Sequence, residues 1–181
     1  MYQAKSNPRI VLRPQDLVIL LYLSLESGLS PTYAALGSAL GLTASEAHAG
    51  VARAAIAQLA HKDKGGKATV VRDALRMFVQ HGARYSFPAT RGVMTRGVPT
   101  GYAAPPLNTR IVKTDEPPPV WPHKMGSVRG AAFYPLYPTV PDAAVRSPAL
   151  YELLALFDAV RGGSTRERGI ALQLLDHRLL S

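Results

Sequence analysis

Residues 37–51, GSALGLTASEAHAGV, constrain the fold more than any other part of the chain. Gly41 falls where an ending helix needs a left-handed residue, a backbone that glycine adopts without steric cost. Thr43 and Glu46 have the spacing of a capping box. The Thr43 hydroxyl can accept from the Glu46 amide while the Glu46 carboxylate reaches back to the Thr43 amide. A helix that stops near Leu40, a short turn around Gly41 and a helix restarting at Ala44 together make a helix-turn-helix unit. Gly37 and Ala47 are small where the two axes would cross, and Leu36, Leu40 and Leu42 supply the apolar lock between them.

Such a unit needs a third helix to close its core, and RPQDLVILLYLSLES (residues 13–27) supplies one. Pro14 suits its first position and Asp16 the positive end of its dipole. Its leucines cover more than one face, which predicts burial on several sides. Gly28 ends it, and Ser30 caps the next helix with Pro31 at the first position. Beyond Thr43, the residues Ala47, Val51, Ala55, Ile56 and Leu59 recur at helical spacing, predicting a helix from about Ala44 to Ala60. HKDKGGK (61–67) breaks it with charge and glycine. TVVRDALRMFVQHG (69–82) reads as a fourth helix with Val71, Leu75, Phe78 and Val79 on one face and Gly82 as its stop. ARYSFPA alternates Tyr85 and Phe87 with Arg84 and Ser86, as a strand does. TRGVMTRG follows as a loop, and VPTGYAA as a returning strand.

The whole reads as mainly α with one small β-hairpin, in three parts. Residues 1–104 form the helix-turn-helix domain. Residues 105–146 are a proline-rich connecting segment, because proline confines regular structure to short or edge strands. Residues 147–181 form a helical hairpin, with Ser147 and Pro148 opening one helix and a second capping box, Ser164 to Glu167, opening the other.

The formal charge of +9 is unevenly placed. Residues 1–110 carry 13 lysines and arginines against 5 acidic residues, a net of +8, whereas residues 111–181 carry 8 against 7. A basic half points to a polyanionic partner, nucleic acid first. With no cysteine, disulfides and thiolate metal sites are excluded. The longest apolar run, Leu17–Leu23, is too short to span a bilayer, and the first ten residues lack the pattern of a signal peptide, so no membrane partner and a cytoplasmic location are expected. His48, His61, His81, His123 and His177 show no metal-ligand spacing, and neither a GxSxG nor a P-loop motif occurs. The chain is therefore read as a non-enzyme needing no cofactor.

Taken with the Leu-rich first helix and a strand–loop–strand after the fourth, residues 13–104 resemble the winged helix-turn-helix transcriptional regulators, broadly the MarR-type group. The resemblance rests on the pattern of residue types and covers about half the chain. It implies that the helix from Ala44 to Ala60 lies in the major groove of double-stranded DNA, with the capping Thr43 at its entry. Ala44, Ser45, His48 and Ala49 would face the bases, with Ala52 and Arg53 a turn later. Ser45 and His48 could bond base edges, Ala49 could touch a thymine methyl, and Arg53 suits guanine or phosphate. The wing, at residues 88–99, would place Arg91 and Arg96 near the minor groove, while Lys62, Lys64, Lys67 and Arg84 would neutralise phosphates. Regulators of this group usually bind as symmetric pairs, so a homodimer with the terminal helices in its interface is expected. A repressor follows as the first reading, with the proline-rich middle and terminal helices as the place for a small-molecule or protein effector. The alternative is a winged-helix module that docks a protein partner without specific DNA binding.

Overall fold

Pro14 opens the first helix, α1 (Pro14–Leu25), where its missing N–H is one that no helix could use. The computed structural model describes residues 11–25, 31–64, 67–111 and 115–180. Leu17 through Leu21 are all buried, as a helix apolar on several faces requires. Asp16 is also buried, its carboxylate accepting from the Arg13 backbone N–H at 2.8 Å. Helix α2 (Tyr33–Leu40) starts later than expected. Its cap is Thr32, whose hydroxyl accepts from the Ala35 N–H at 3.2 Å; Gly28 and Ser30 lie outside the described residues.

The turn after α2 has the expected geometry. Gly41 takes φ 68° and its N–H returns to the Gly37 carbonyl. A Cβ on Gly37 would lie 2.6 Å from the Leu42 carbonyl oxygen, so the turn folds back onto a position only glycine can fill. Helix α3 (Ala44–Ile56) opens on the complete capping box, with Thr43 and Glu46 bonded in both directions at 2.8 and 3.1 Å. Those bonds hold the exposed Glu46 carboxyl below the ordinary glutamate range.

The helix ends at Ile56, not Ala60. Gln58 takes φ 60° and turns the chain into strand β1 (Ala60–Lys62), which pairs antiparallel with β2 (Ala68–Val70). Residues 69 and 70 are thus strand where helix was expected. Thr69 and Val70 are β-branched and fit a ladder better than a helical turn, and the Val71 N–H continues the pairing to the Leu59 carbonyl. Helix α4 (Arg72–His81) buries Leu75 and Val79. The strand expected at 83–89 is instead a short helix, α5 (Ala83–Ser86), because Gly82 keeps helical angles (φ −114°, ψ −39°) and the Phe87 N–H closes on the Ala83 carbonyl.

No separate wing forms at 88–99. Residues Arg91–Pro99 make one long strand, β3, which pairs antiparallel with β4 (Pro119–Pro122) and with β5 (Val128–Phe133); β4 and β5 pair in parallel, closing the three strands on one another. So small a closure demands glycine where backbones touch. A Cβ on Gly97 would strike the Trp121 carbonyl, and one on Gly130 the Pro118 carbonyl. VPTGYAA supplies the end of β3 and then a 3₁₀ turn, Gly101–Ala103.

Helices α6 (Val140–Arg146), α7 (Pro148–Gly162) and α8 (Thr165–Leu180) complete the chain. In α7, Leu150 and every residue from Leu153 to Val160 are buried. One apolar cluster runs from Leu17 of α1 through Leu75 of α4 and Leu107 to Leu154 of α7 and Leu179 of α8. The three expected parts therefore share a single core. The α7 stripe expected to meet a second copy is covered by this chain itself, as are Ala171, Leu175 and Leu179 of α8, while Ile170, Leu172 and Leu174 are half-buried and Arg166, Gln173 and His177 turn outward. Arg76 and Gln80 of α4 both bond Asp176 of α8, at 3.3 and 3.0 Å. Among the described residues no helix is long and apolar enough to cross a membrane.

At the centre lies Asp158 on α7. Its carboxylate accepts from the Thr100 hydroxyl at 2.7 Å, the Trp121 indole Nε1–H at 2.5 Å and the Arg161 Nε–H at 2.8 Å. Burial pushes this carboxyl up from its ordinary range, while Arg161 and the two hydrogen bonds pull it back. Arg161 then donates to the Tyr134 carbonyl at 2.7 Å and stacks on Phe133 at 4.9 Å. One buried carboxylate thereby links α7 to the three-stranded sheet.

Candidate nucleic-acid interface

A helix in a bundle keeps an outer face where nothing packs on it, and α3 has one. Ala44, Ser45 and His48 are exposed, and Ala49 and Ala52 half-buried, while Ala47, Gly50, Val51 and Ala54 point inward. The inward face is fitted closely: a Cβ on Gly50 would lie 2.5 Å from Ile19 Cδ1. The turn before α3 is braced from outside by α6. Thr139 donates its hydroxyl to the Leu40 carbonyl at 2.6 Å and Arg146 donates to the Ala39 carbonyl at 3.0 Å. These contacts satisfy carbonyls that end α2 and leave the outer face of α3 uncovered.

The β1–β2 hairpin stands directly after α3 in the chain, and its charge is the HKDKGGK run. Lys62, Lys64 and Lys67 are exposed. Asp63 organises the described part of the connection: its carboxylate accepts from the Lys67 N–H at 2.8 Å and its own N–H donates to the Lys67 carbonyl at 3.0 Å. Tyr33 joins hairpin to helix. Its ring meets the His48 ring edge-on at 4.9 Å, and Lys62 Nζ sits 5.9 Å from its centroid. Ser45, His48, Tyr33 and Lys62 therefore form one surface, which Lys64 and Lys67 extend.

The other sequence-derived candidates are placed differently. Arg53 faces α1. Its Nε and Nη2 hold both oxygens of buried Asp16, at 2.7 and 2.6 Å, and only 18% of its side chain is exposed. That bidentate pair raises the Arg53 pKa further and makes the residue a staple between α1 and α3, not a reader of bases. Arg84 lies over the Tyr85 ring on α5. Arg91 donates to the Gly162 carbonyl at 2.7 Å and lies 5.4 Å over Phe133, so it ties β3 to the end of α7. Arg96 lies on β3, opposite Arg129 of β5. Thr43 serves α3 through its cap.

Tyr33 was not among the residues expected from the sequence, and the β1–β2 hairpin forms where only a charged break was expected. The signal for the hairpin was present: a Gly-Gly pair between lysines, followed by a β-branched run, is hairpin chemistry. Nothing local marks Tyr33, whose role depends on contacts from two other elements.

Replacing Arg53 by Ala is expected to cost about 3 kcal/mol of stability, the lower end for breaking a buried pair, because solvent reaches the site and partly rehydrates Asp16. Urea unfolding measures it. A variant of unchanged stability would return Arg53 to the list of nucleic-acid contacts.

Comparison with protein-family models, with curated proteins and with solved structures finds no match for this chain.

Proposed function

We propose that the protein is a double-stranded-DNA-binding transcriptional regulator, a repressor, built as a winged helix-turn-helix. In this reading α3 is the recognition helix and the β1–β2 hairpin, in place of residues 88–99, is the wing. The observation that carries it is the continuous cationic surface formed where Tyr33 bridges His48 on α3 to Lys62 on the hairpin. An exposed helix of small side chains can approach the floor of a major groove closely. Ser45 and His48 are its hydrogen-bonding groups there, and Ala44 and Ala49 its apolar contacts. With only two polar readers, much of the affinity would come from phosphates and much of the specificity from duplex shape. Two copies on a palindromic site suit such a unit, meeting through a surface other than the covered stripes of α7 and α8. Repression follows if the occupied site overlaps a promoter.

A salt titration on duplex DNA tests the reading. If the three hairpin lysines contact phosphates, changing Lys62, Lys64 and Lys67 to Gln lowers the slope of log affinity against log salt by about 3, since each contact contributes roughly 0.9. Arg166→Gln on the outer face of α8 should leave the slope unchanged. Ser45→Ala with His48→Ala should leave random-duplex binding intact and reduce preference for a site selected from bound genomic fragments. A lysine variant that binds duplex with the native slope would rule out the hairpin as a wing.

A further inference from the structure

Arg96 and Arg129 are Cα partners across the β3–β5 ladder. Directly opposed residues of an antiparallel pair point to the same face, with Cβ atoms about 5 Å apart, and like charges placed so are destabilising. Among the described residues, neither guanidinium has a hydrogen-bonding or ion-pairing partner. Both instead line an open cleft of about 500 Å³, together with Met94, Thr95 and Ser127. The lining holds two cations and two hydroxyls and no carboxylate.

The floor of this cleft is fixed. The His123 N–H donates to the Arg96 carbonyl at 3.2 Å, and the Gly126 N–H donates to the His123 carbonyl at 3.0 Å. Gly126 lies against the backbone of Gly97 with no room for a Cβ. His123 Nε2 is in turn 3.1 Å from Asp142 Oδ1 on α6. The loop that carries Ser127 is thus held beside the arginine pair from both ends. The backbone beneath the two arginines is held in place before any ligand arrives, which lowers part of the cost of binding.

We infer that the Arg96–Arg129 cleft is a binding site for a phosphoryl group. Two planar guanidiniums can each present a fork of N–H donors to one tetrahedral anion, and the Ser127 hydroxyl can add a further donor. The anion removes the like-charge repulsion across the ladder. The phosphoryl group comes either from a small phosphorylated ligand or from the backbone of a nucleic acid. The inference is independent of the reading of α3 and the hairpin.

Thermal melting with sodium pyrophosphate, against sodium chloride at matched ionic strength, tests it. A ligand at about 100 times its Kd raises the melting temperature of a domain this size by roughly 5–10 °C. That shift is expected in the native protein and in the Lys62, Lys64 and Lys67 variant, and is lost in Arg96→Gln/Arg129→Gln. Without ligand, the double arginine variant should melt no lower than the native protein, because a repulsion is removed; Arg129→Gln alone serves if the double variant does not fold. If pyrophosphate gives no shift but the double variant binds a 20-base-pair duplex at least tenfold more weakly, the source is the phosphodiester backbone. A pyrophosphate shift that survives intact in the arginine variants overturns the site, as does the absence of both effects.

Discussion

A chain ending at Val145 is expected not to fold. Its loss removes α7, which buries Leu150, Leu153, Leu154, Leu156, Phe157 and Val160 in the shared core. Full burial of one such side chain is worth about 1.5–3 kcal/mol, so six amount to roughly 9–18 kcal/mol. That matches or exceeds the entire stability of an ordinary domain, about 5–15 kcal/mol. The exposed floor would comprise the inner faces of α1 and α4, including Leu21 and Leu75. Circular dichroism should show no cooperative thermal transition, and a hydrophobic dye should bind. A truncated chain that melts cooperatively, as a monomer or as a dimer, would mean that residues 1–145 hold a core without α7 and α8.

Asp158→Ala is expected to lower stability by about 3–5 kcal/mol, the usual cost of leaving one partner of a buried ion pair alone. The side chain of Arg161 is only 4% exposed and would keep its charge without the carboxylate. The Trp121 indole N–H and the Thr100 hydroxyl would each lose their acceptor. For a protein of this size the change corresponds to a fall in melting temperature of roughly 6–20 °C. Trp121→Phe, which removes one neutral donor and keeps the charge pair, should cost less than half as much. Equal losses from the two variants would show that packing of the indole, and not the carboxylate, holds the sheet to α7.

The candidate interface was legible in part. Ser45 and His48 follow from the helical period of α3 and are exposed as that period requires. Arg53 lies on the same helix, five residues beyond His48, and the period alone could not tell whether a long guanidinium would reach outward or back to α1. A buried carboxylate at Asp16, 37 residues earlier, decides it. Arg91 and Arg96 look alike in sequence, each beside a glycine, yet one is bound to a helix end and the other faces a second arginine. The proline-rich stretch looked like a connector because proline disfavours long strands. It forms β4, which has only four residues with Pro119 and Pro122 at its ends, and this brevity is what proline permits.

The sequence by itself determined where four of the eight described α-helices begin. Pro14, the Thr43–Glu46 box, the Ser147–Pro148 pair and the Ser164–Glu167 pair each act within a few residues, through hydrogen bonds that the local backbone brings together. Gly41 likewise carries its turn because its left-handed angles are a local demand. Only the tertiary structure decided what each apolar stripe would cover and what each charge would meet. Leucines on α7 are equally suited to a second copy or to α1, and whether Thr69 and Val70 extend a helix or join a strand depends on Ala60 and His61 being there to pair with them. Burial and strand pairing reward contacts between distant residues, and the period of a sequence states which face is apolar without naming its partner.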